Sequence, residues 1–286
     1  MRHRSADGSP AKLRIAMWNV WGFSWEWERR RPLVAAELAD LEPDVVMLHE
    51  ARSARRPWEA GRSVPEQVAD DTGIPLVEWI DAPTADPSAR MGPALLARVP
   101  PAGTSRLRLA DRDSVPDLGF HEPWLLTAQW ELGGFRATVA STHLPMSSLP
   151  AAQRVAVPEL AEALASLSKE SDLLVLMGDL NVQSHSSLLF SLMQTAGLES
   201  VPSLATAPPT WPTSSAMFNR WAVDSGYRRW AHHPEAQPIR IDYVLVHRRD
   251  STPLHIVDQG RFGTGHRTDG LFASDHWGLW VDLAIA

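Results

Sequence analysis

Six short segments of the chain place carboxylate, amide or imidazole side chains near the ends of apolar, strand-like runs. They are Trp18-Asn19-Val20, His49-Glu50, Ser141-Thr142-His143, Gly178-Asp179-Leu180-Asn181, Arg240-Ile241-Asp242-Tyr243 and Ala273-Ser274-Asp275-His276-Trp277. If the fold brings these strand ends together, the side chains form one acidic pocket that holds a metal ion and histidines. Such a pocket is suited to hydrolysis of phosphate esters.

Two apolar runs deliver acidic side chains to their ends. Glu50 follows the run 45–49, and Asp179 and Asn181 follow the run 173–178. Glu50 alone is more often a helix cap or a surface acid. Residues two apart in extended chain point to the same face, so we expect Asp179 and Asn181 to face together. A carboxylate beside an amide can hold a hard cation and a phosphoryl oxygen.

Asp242 lies inside a strand predicted over 239–246, where a charged group costs free energy unless it is paired. His276 is the predicted partner, in a pair that resembles a catalytic triad without its serine. The chain has no Gly-x-Ser-x-Gly segment, so water is the expected attacking group. His143 closes another strand, and on its own it is as often a packing or capping histidine as a catalytic one.

Composition narrows the function further. The chain has 286 residues, a net charge of −7 and no cysteine. The absence of cysteine excludes disulfides, thiolate metal sites and a cysteine nucleophile. Proteins that bind duplex DNA non-specifically usually carry a basic face, so the net negative charge of this chain disfavours that function. With oxygen and amide ligands only, the expected cofactor is Mg²⁺, with Mn²⁺ as the alternative.

Residues 1–11 are polar and basic, and we expect them to form a disordered lead before one domain over 12–286. This segment lacks the apolar core of a signal peptide, and no stretch reaches the roughly 18 apolar residues of a membrane span. We therefore expect a monomeric cytoplasmic protein without stable membrane association.

Predicted strands and helices alternate along the chain, and hairpins follow in each half. The strands are predicted over 13–18, 45–48, 75–80, 94–97, 107–109, 124–130, 135–142, 173–177, 239–246, 254–257 and 277–283, and the helices over 29–39, 64–71, 150–167 and 186–196. This order indicates an α/β protein in which two mixed sheets pack together with helices outside, a four-layer α/β/β/α sandwich. Residues 201–238, rich in Pro, Ser and Trp, are predicted to be a long loop.

The ordered set of segments resembles the endonuclease/exonuclease/phosphatase superfamily of metal-dependent phosphoesterases over nearly all of 13–283. Its members include pancreatic-type deoxyribonuclease, abasic-site endonucleases, sphingomyelinases, inositol-polyphosphate 5-phosphatases and deadenylases. The resemblance implies a role for each matching residue. Glu50, Asn19, Asp275 and Asp179 would bind metal, Asp179 or His276 would take a proton from water, Asp242 would pair with His276, and Asn181 and His143 would contact the phosphate.

The chain departs from parts of that family in ways that bear on the substrate. Trp21 stands where abasic-site endonucleases carry an acid, and His143 stands where they carry a tyrosine. The deoxyribonuclease-like Arg-Glu-Pro reads His121-Glu122-Pro123, and the family's Gly-Asn-Ala-Ile-Leu-Ser-Arg appears at 92–98 without its amide and hydroxyl. The differences at Trp21 and His143 favour the deoxyribonuclease, sphingomyelinase and deadenylase side of the family over abasic-site endonucleases. His121 in place of the arginine implies that a residue gripping the phosphate is absent, which weakens the case for deoxyribonuclease activity itself.

Other residues are candidates for substrate contacts. Arg52, with Arg55 and Arg56, could reach a substrate phosphate, although such a charge run is more often solvated. Trp211, with Trp221 and Trp230 and with Trp21 and Trp25, could stack a base or sugar, although core packing is expected for at least one of them. The pair His232-His233 is more typical of a surface loop than of a metal site.

The leading hypothesis is a Mg²⁺-dependent hydrolase of a nucleotide-bearing or other small phosphate ester, or of nucleic acid ends. One alternative is a true nuclease, which should show a basic groove. Another is a sphingomyelinase-like enzyme, for which the Trp-rich loop would supply the membrane contact. The third is a non-catalytic binding scaffold of the same fold. The chain argues against it by retaining six residues that a scaffold does not need, namely Glu50, Asp179, Asn181, Asp242, Asp275 and His276.

Overall fold

The computed structural model describes residues 12–24, 26–53, 61–201, 206–211, 239–265 and 270–285. The predicted lead over 1–11 and most of the predicted loop over 201–238 lie outside these ranges. No helix in the described ranges combines the length and the apolar character needed to cross a membrane.

The described residues form twelve strands and four helices. The strands are β1 (Lys12–Asn19), β2 (Val45–Arg52), β3 (Leu76–Trp79), β4 (Met91–Ala97), β5 (Gly103–Arg108), β6 (Trp124–Leu132), β7 (Phe135–His143), β8 (Leu173–Asp179), β9 (Glu199–Ser200), β10 (Asp242–Arg248), β11 (Leu254–Phe262) and β12 (Gly278–Ile285). The helices are α1 (Trp27–Leu41), α2 (Val64–Thr72), α3 (Pro150–Glu170) and α4 (Ser187–Ala196).

The strands form two six-stranded mixed sheets. Sheet I has the order β11-β12-β1-β2-β4-β3, and sheet II has the order β5-β6-β7-β8-β10-β9. The central pair is parallel in each sheet, β1 with β2 and β7 with β8, and the remaining neighbours are antiparallel. The predicted pair of mixed sheets is confirmed.

Three apolar clusters hold the layers together. The first lies between the sheets and includes Met17, Met47, Val139 and Met177. A second packs sheet II against α3 and α4, and a third packs sheet I against α1 and α2. Both faces of each sheet are therefore buried, which explains the continuous apolar runs of the central strands. The result is the predicted four-layer α/β/β/α sandwich.

Local signals bound α4 close to where the sequence indicated, whereas α1 and α3 continue beyond their predicted ends to Leu41 and Glu170. Ser186 accepts a hydrogen bond on Oγ from the Leu188 N–H at 3.2 Å and so caps the first turn of α4. Gly197 ends that helix with a φ of 63°, a conformation that glycine adopts without a steric penalty.

Several predicted boundaries were wrong. β10 begins at Asp242 rather than at Ile239, so Asp242 opens the strand, and Ile239 instead forms an isolated bridge with Trp211. β4, β5 and β11 are longer than their apolar cores, because their outer residues pair with neighbouring strands whatever their polarity. The two-residue strand β9 was not predicted at all.

Candidate active site

The polar strand ends meet at one edge of the sandwich. The parallel pairs β1–β2 and β7–β8 each bring two C-terminal ends together. β10 and β12 run antiparallel to β8 and β1, so their first residues arrive at the same edge. A cavity of about 560 Å³ opens there, hereafter the site cavity.

The structure brings all of the predicted site residues together. Eight of them line the site cavity, namely Glu50, Arg52, His143, Asp179, Asn181, Trp211, Asp275 and His276. The other two, Asn19 and Asp242, are buried directly behind these and bond to them.

Asn19 connects the acidic groups of the two sheets. Its Nδ2 donates to Glu50 Oε1 at 3.2 Å and to Asp179 Oδ2 at 3.1 Å. Its Oδ1 accepts the Trp21 N–H at 3.1 Å. Because an amide N–H can only donate, the bond from Trp21 fixes the orientation of the Asn19 side chain. Asn19 therefore holds carboxylates from β2 and β8 at a set separation.

Glu50 and Asp275 form a half-buried acidic pair on the cavity floor. A β-bulge between Leu48 and Ala51 and a φ of 52° at Glu50 turn this side chain out of the β2 ladder. Burial raises the pKa of Glu50, and the nearby Asp275 raises it further. Burial likewise raises the pKa of Asp275. A cation shared by the two carboxylates would offset the electrostatic repulsion between them, and carboxylate oxygens are suitable ligands for Mg²⁺.

Asp242 and His276 form the predicted pair. His276 Nδ1 donates to Asp242 Oδ2 at 3.0 Å, and both side chains are buried. Burial alone would lower the pKa of His276, but Asp242, Asp179 and Asp275 together raise it well above the ordinary value. The backbone places Asp242 firmly, since its N–H donates to Thr210 Oγ1 at 3.1 Å. The imidazole is therefore held in one orientation and kept charged.

Asp179 lies at the centre of the site. Its Oδ2 is 3.3 Å from His143 Nε2 and 3.8 Å from His276 Nε2, in addition to the bond from Asn19. Burial raises the pKa of Asp179 to about 8, with a further contribution from Asp242. This carboxyl is thus poised to exchange a proton near neutral pH.

Asp179, Asp242 and His276 also offer metal-ligand atoms that all lie within 4.8 Å of one another. Two of these groups, however, bond to each other through His276 Nδ1 and Asp242 Oδ2. A cation there would have to displace that bond, so Glu50 and Asp275 are the better-placed ligands. Asp242 Oδ1 is buried and has no hydrogen-bond partner among the described residues. Because Asp242 does not line the site cavity, this oxygen does not make it a better-placed ligand than Glu50 or Asp275.

Asn181 departs from the predicted geometry. It has a φ of 50°, so the chain after Asp179 is not extended and the two side chains do not share a face through strand alternation. Instead, Asp179 Oδ1 accepts the Asn181 N–H at 3.1 Å, which closes a tight turn. Asn181 Nδ2 donates to the Leu144 carbonyl at 2.9 Å. The turn still brings both side chains to the site cavity.

Gly178 allows the sheet to close tightly beside this turn. A Cβ at this position would lie 2.4 Å from the Thr142 carbonyl oxygen on β7. The backbones of β7 and β8 therefore approach closely at Gly178.

Arg52 and Trp211 lie in the wall of the site cavity. The Arg52 guanidinium is buried and stacks 4.7 Å from the centre of the Phe120 ring. The Trp211 ring stacks on His276 with 6.2 Å between centroids. The neighbouring wall is apolar and contains Leu118, Met146 and Leu149. Arg55, Arg56, Trp25, Trp221, Trp230, His232 and His233 lie outside the described residues.

The profile of the endonuclease/exonuclease/phosphatase family matches residues 17–276. The chain belongs to this family. The match spans every predicted site residue, from Asn19 to His276. No curated protein is similar enough in sequence to match.

Solved structures share the fold of this family member. An endonuclease/exonuclease/phosphatase from Beutenbergia cavernae aligns with 24% identity and a TM-score of 0.63, over 96% of this chain and 72% of its own. TDP2 from D. rerio, complexed with a single-strand DNA product, aligns with 17% identity and a TM-score of 0.64, over 96% and 99%. The human Nocturnin catalytic domain with bound sulfate aligns with 15% identity and a TM-score of 0.65, over 100% and 97%.

Three buried histidines, His49, His121 and His143, lie close together in the site. His49 Nδ1 accepts the Asp179 N–H at 3.4 Å, and its Nε2 lies 2.8 Å from Ser141 Oγ. His121 Nε2 donates to the His143 carbonyl at 3.2 Å, and the His121 and His143 rings lie 4.2 Å apart. Burial lowers the pKa of His49 to about 3 and of His121 to about 4, and it lowers that of His143 well below the ordinary value. All three are therefore neutral near pH 7.

Sequence analysis missed several residues that position the site. Arg30 of α1 is fully buried and donates to the backbone carbonyls of Val20, Trp21 and Ala273, which tie the segments around Asn19 and Asp275 together. Thr210 anchors Asp242, and Ser274 Oγ donates to the Asn19 carbonyl at 2.6 Å. An arginine within an amphipathic helix carries no sequence signal of burial, whereas His49, next to Glu50, could have been singled out.

Another cavity, hereafter the distal cavity, lies elsewhere in the described structure. It measures about 680 Å³ and is lined by residues of β9, β10 and β11, including Leu173 at the opposite end of β8 from Asp179. None of the predicted site residues lines it. Volume alone is therefore a poor guide to the active site in this family member.

Proposed function

We propose that this protein is a metal-dependent phosphoesterase that cleaves a P–O bond by attack of water. The observation that carries the proposal is the convergence of His143, His276 and Asn19 on a single oxygen of Asp179. A carboxyl surrounded by imidazole and amide donors, next to a separate acidic pair, provides acid–base groups and a cation site within one cavity.

Glu50 and Asp275, with Asp179 beside them, are the residues that would hold Mg²⁺, or alternatively Mn²⁺. Asn19, predicted as a further ligand, turns its N–H groups toward Glu50 and Asp179 and its oxygen toward the Trp21 N–H, so it would position the carboxylates rather than bind the metal. The half-buried carboxylates of Glu50 and Asp275, with their raised pKa values, support the assignment of these two residues as ligands. A bound divalent cation would neutralise negative charge on the phosphoryl and leaving oxygens. Arg30 contributes a fixed positive charge behind the same carboxylates, although burial lowers its pKa to about 10.

Asp179 is the proposed general base, and His276 is the proposed charged donor. Burial raises the pKa of Asp179 to about 8, so near neutral pH only part of this carboxyl is ionised and able to take a proton from water. A bound divalent cation would increase that ionised fraction. His276 is already protonated because the surrounding carboxylates raise its pKa. Its imidazolium, oriented by Asp242, would stabilise the charge that develops on the phosphoryl group.

Asn181, His143, Arg52 and Trp211 are proposed to bind the substrate. Asn181 uses one N–H on the Leu144 carbonyl, which leaves the second for a phosphoryl oxygen. His143 is neutral and so donates a hydrogen bond without releasing a proton. Trp211 and the apolar wall would contact the organic part of the ester, while Arg52 offers a positive charge in the cavity wall.

A small phosphate ester, a nucleotide-bearing ester or a nucleic acid end is the proposed substrate. A cavity of about 560 Å³ has the size of a small-molecule pocket rather than of a duplex groove. The net charge of −7 also favours a small ester over long nucleic acid. A true endo- or exonuclease that degrades DNA or RNA strands is the second candidate, supported by the shared fold with TDP2, which was solved with a single-strand DNA product.

The test is turnover of a substrate panel in Mg²⁺ and in EDTA. The panel contains a nucleoside monophosphate, an inositol phosphate, sphingomyelin, single-stranded and duplex DNA, and RNA. We expect metal-dependent hydrolysis of at least one class and its loss in Glu50→Gln and His276→Asn. Binding of a panel member without any turnover, in a folded and metal-loaded protein, would instead support a non-catalytic scaffold.

A further inference from the structure

A second, smaller cavity lies on the other side of the segment 206–211 from the active site. It measures about 210 Å³ and lies between β10, β11, β12 and that segment. Thr210 lines this small cavity, whereas its neighbour Trp211 lines the site cavity. The two cavities share no lining residue, so the small cavity is a separate compartment.

Two arginines, Arg240 and Arg261, line the small cavity, and no acidic residue does among the described part of the chain. Neither arginine forms an ion pair with any described carboxylate. Arg240 is only 7% exposed, and its Nη1 has no hydrogen-bond partner among the described residues. Asp242 acts on Arg240 through its charge without forming an ion pair with it. A buried guanidinium N–H group that has no partner is costly, which points to a missing anion.

Both guanidinium groups are held in place before any ligand arrives. Arg240 stacks 4.7 Å from the centre of the Tyr243 ring, and its Nε donates to the Asp242 carbonyl at 3.4 Å. Arg261 stacks 4.5 Å from the centre of the Trp277 ring, and its Nη1 donates to the Pro209 carbonyl at 2.8 Å. These contacts use few of the five N–H donors of each group, so several remain for a ligand. A preorganised site loses less entropy on binding.

Gln259 adds an amide to the same wall. Its Oε1 is buried and has no hydrogen-bond partner within the described ranges. The oxygen and nitrogen of an amide exchange places when the side chain flips, so this position equally presents an NH₂ group. Burial also lowers the pKa of both Arg240 and Arg261, in keeping with positive charge that water does not fully solvate.

We propose that the small cavity is an anion site that binds a tetrahedral oxyanion such as phosphate or sulfate between Arg240 and Arg261. Planar guanidinium groups match the oxygens of such anions in pairs. The volume of about 210 Å³ accommodates one oxyanion with a few waters of roughly 30 Å³ each. The site is distinct from the substrate site and does not depend on the proposed activity.

The test locates the anion directly and then measures its affinity. Crystals of the full-length, EDTA-treated protein are soaked in sodium selenate, and anomalous scattering is recorded at the selenium edge. We expect a selenium peak in the small cavity, within hydrogen-bond reach of both arginines. In solution, calorimetric titration with sulfate, with chloride as the ionic-strength control, should be saturable.

The matched variants are Arg261→Gln and Arg106→Gln. Arg261→Gln should weaken sulfate binding about tenfold or more, since it removes a charged donor, and Arg261→Lys should fall between it and the wild type. Arg106 lies on the exposed edge strand β5, so Arg106→Gln should bind as the wild type does. A selenium peak confined to the site cavity, or equal sulfate affinity in Arg261→Gln and the wild type, would overturn the proposal.

Discussion

Asp242 and Asp179 occupy paired positions on the antiparallel strands β10 and β8, and His276 approaches both carboxylates. Their contacts with the ring differ. Asp242 bonds to His276 at 3.0 Å, whereas Asp179 lies 3.8 Å from the same ring and shares its oxygen with Asn19 and His143. One carboxylate therefore orients the histidine, and the other is available for proton exchange.

Asp242→Asn tests this division of roles. The substitution preserves shape but removes the charge that raises the pKa of His276, so the pKa should fall. We expect kcat/KM to drop about 10²–10⁴-fold. Because the proposed active form of His276 is protonated, the limb on which activity falls with rising pH should move to lower pH. The measurement is kcat/KM against pH on the substrate found by the panel.

His255→Asn is the control, since His255 lies on β11 at the distal cavity. An Asp242→Asn profile with the wild-type pH limb would show that Asp242 does not set the charge of His276.

Glu50→Gln tests the cation site through stability rather than activity. In the absence of metal, the variant should be more stable than the wild type, because burial and Asp275 raise the pKa of Glu50 and so disfavour its charge. Added Mg²⁺ should stabilise the wild type by about 2.7 kcal/mol at a hundredfold excess over its Kd. The variant should lose most of that gain.

Thermal unfolding with and without Mg²⁺ measures both effects. Asp258→Asn, at an exposed carboxylate on β11, serves as the control and should retain the Mg²⁺ response. Equal Mg²⁺ stabilisation of Glu50→Gln and the wild type would place the cation elsewhere.

Most positions of the chemical groups were predictable from the sequence. The apolar runs mark the strands, and the polar residues that follow them mark the strand ends. Asn19, His143 and Asp179 end their strands, and His276 lies just before β12, as those patterns predicted. Glu50 does not follow its strand as predicted, because β2 continues to Arg52 and Glu50 lies at a bulge inside it. The layer order followed from the same runs, since strands buried on both faces must be covered by a second sheet or by helices.

The local backbone could not be predicted in the same way. Glutamate rarely adopts a positive φ, so the value at Glu50 is imposed by the surrounding structure. Asparagine adopts such values more readily, but many asparagines do not, so the sequence does not mark the turn at Asn181. The support from Arg30 and Thr210 depends on contacts between segments far apart in the chain, which local patterns do not encode.

His49→Leu tests the link between the sheets. The leucine removes the acceptor for the Asp179 N–H and the partner of Ser141 Oγ. Leaving these buried groups unpaired should reduce the free energy of unfolding by about 1–3 kcal/mol each. His49→Gln, which keeps a donor and an acceptor, should lose less. Urea denaturation at pH 7 measures the difference, and equal losses in both variants would show that the hydrogen bonds contribute little.

His121→Gln tests the buried neutral histidines by pH. Burial lowers the pKa of His121 to about 4 in the folded state, while the unfolded chain titrates near 6.5. Between these values the unfolded state binds more protons, so stability rises with pH over this window and is lost as pH falls. The wild type should therefore lose up to about 3 kcal/mol at pH 4 that the variant does not lose.

Urea denaturation between pH 4 and pH 7 measures this difference, with the half-buried His255→Gln as the control. If the free energies of unfolding of the wild type and His121→Gln ran parallel over that range, His121 would be charged in the folded protein.

Gly178→Ala tests whether the close approach of β7 and β8 is needed to place Asp179. The added methyl group would lie 2.4 Å from the Thr142 carbonyl, so the two strands would have to separate. We expect a loss of about 1–3 kcal/mol in the free energy of unfolding. At a temperature where both proteins are folded, kcat of the variant should still be lower than that of the wild type. The reason is that separating the strands would displace Asp179, the next residue. Gly103→Ala is the matched control on β5, where an added Cβ meets nothing within 4 Å. Wild-type kcat in a destabilised Gly178→Ala would mean that Asp179 tolerates the displacement, and its proposed role as the base would then require a looser geometry than the structure shows.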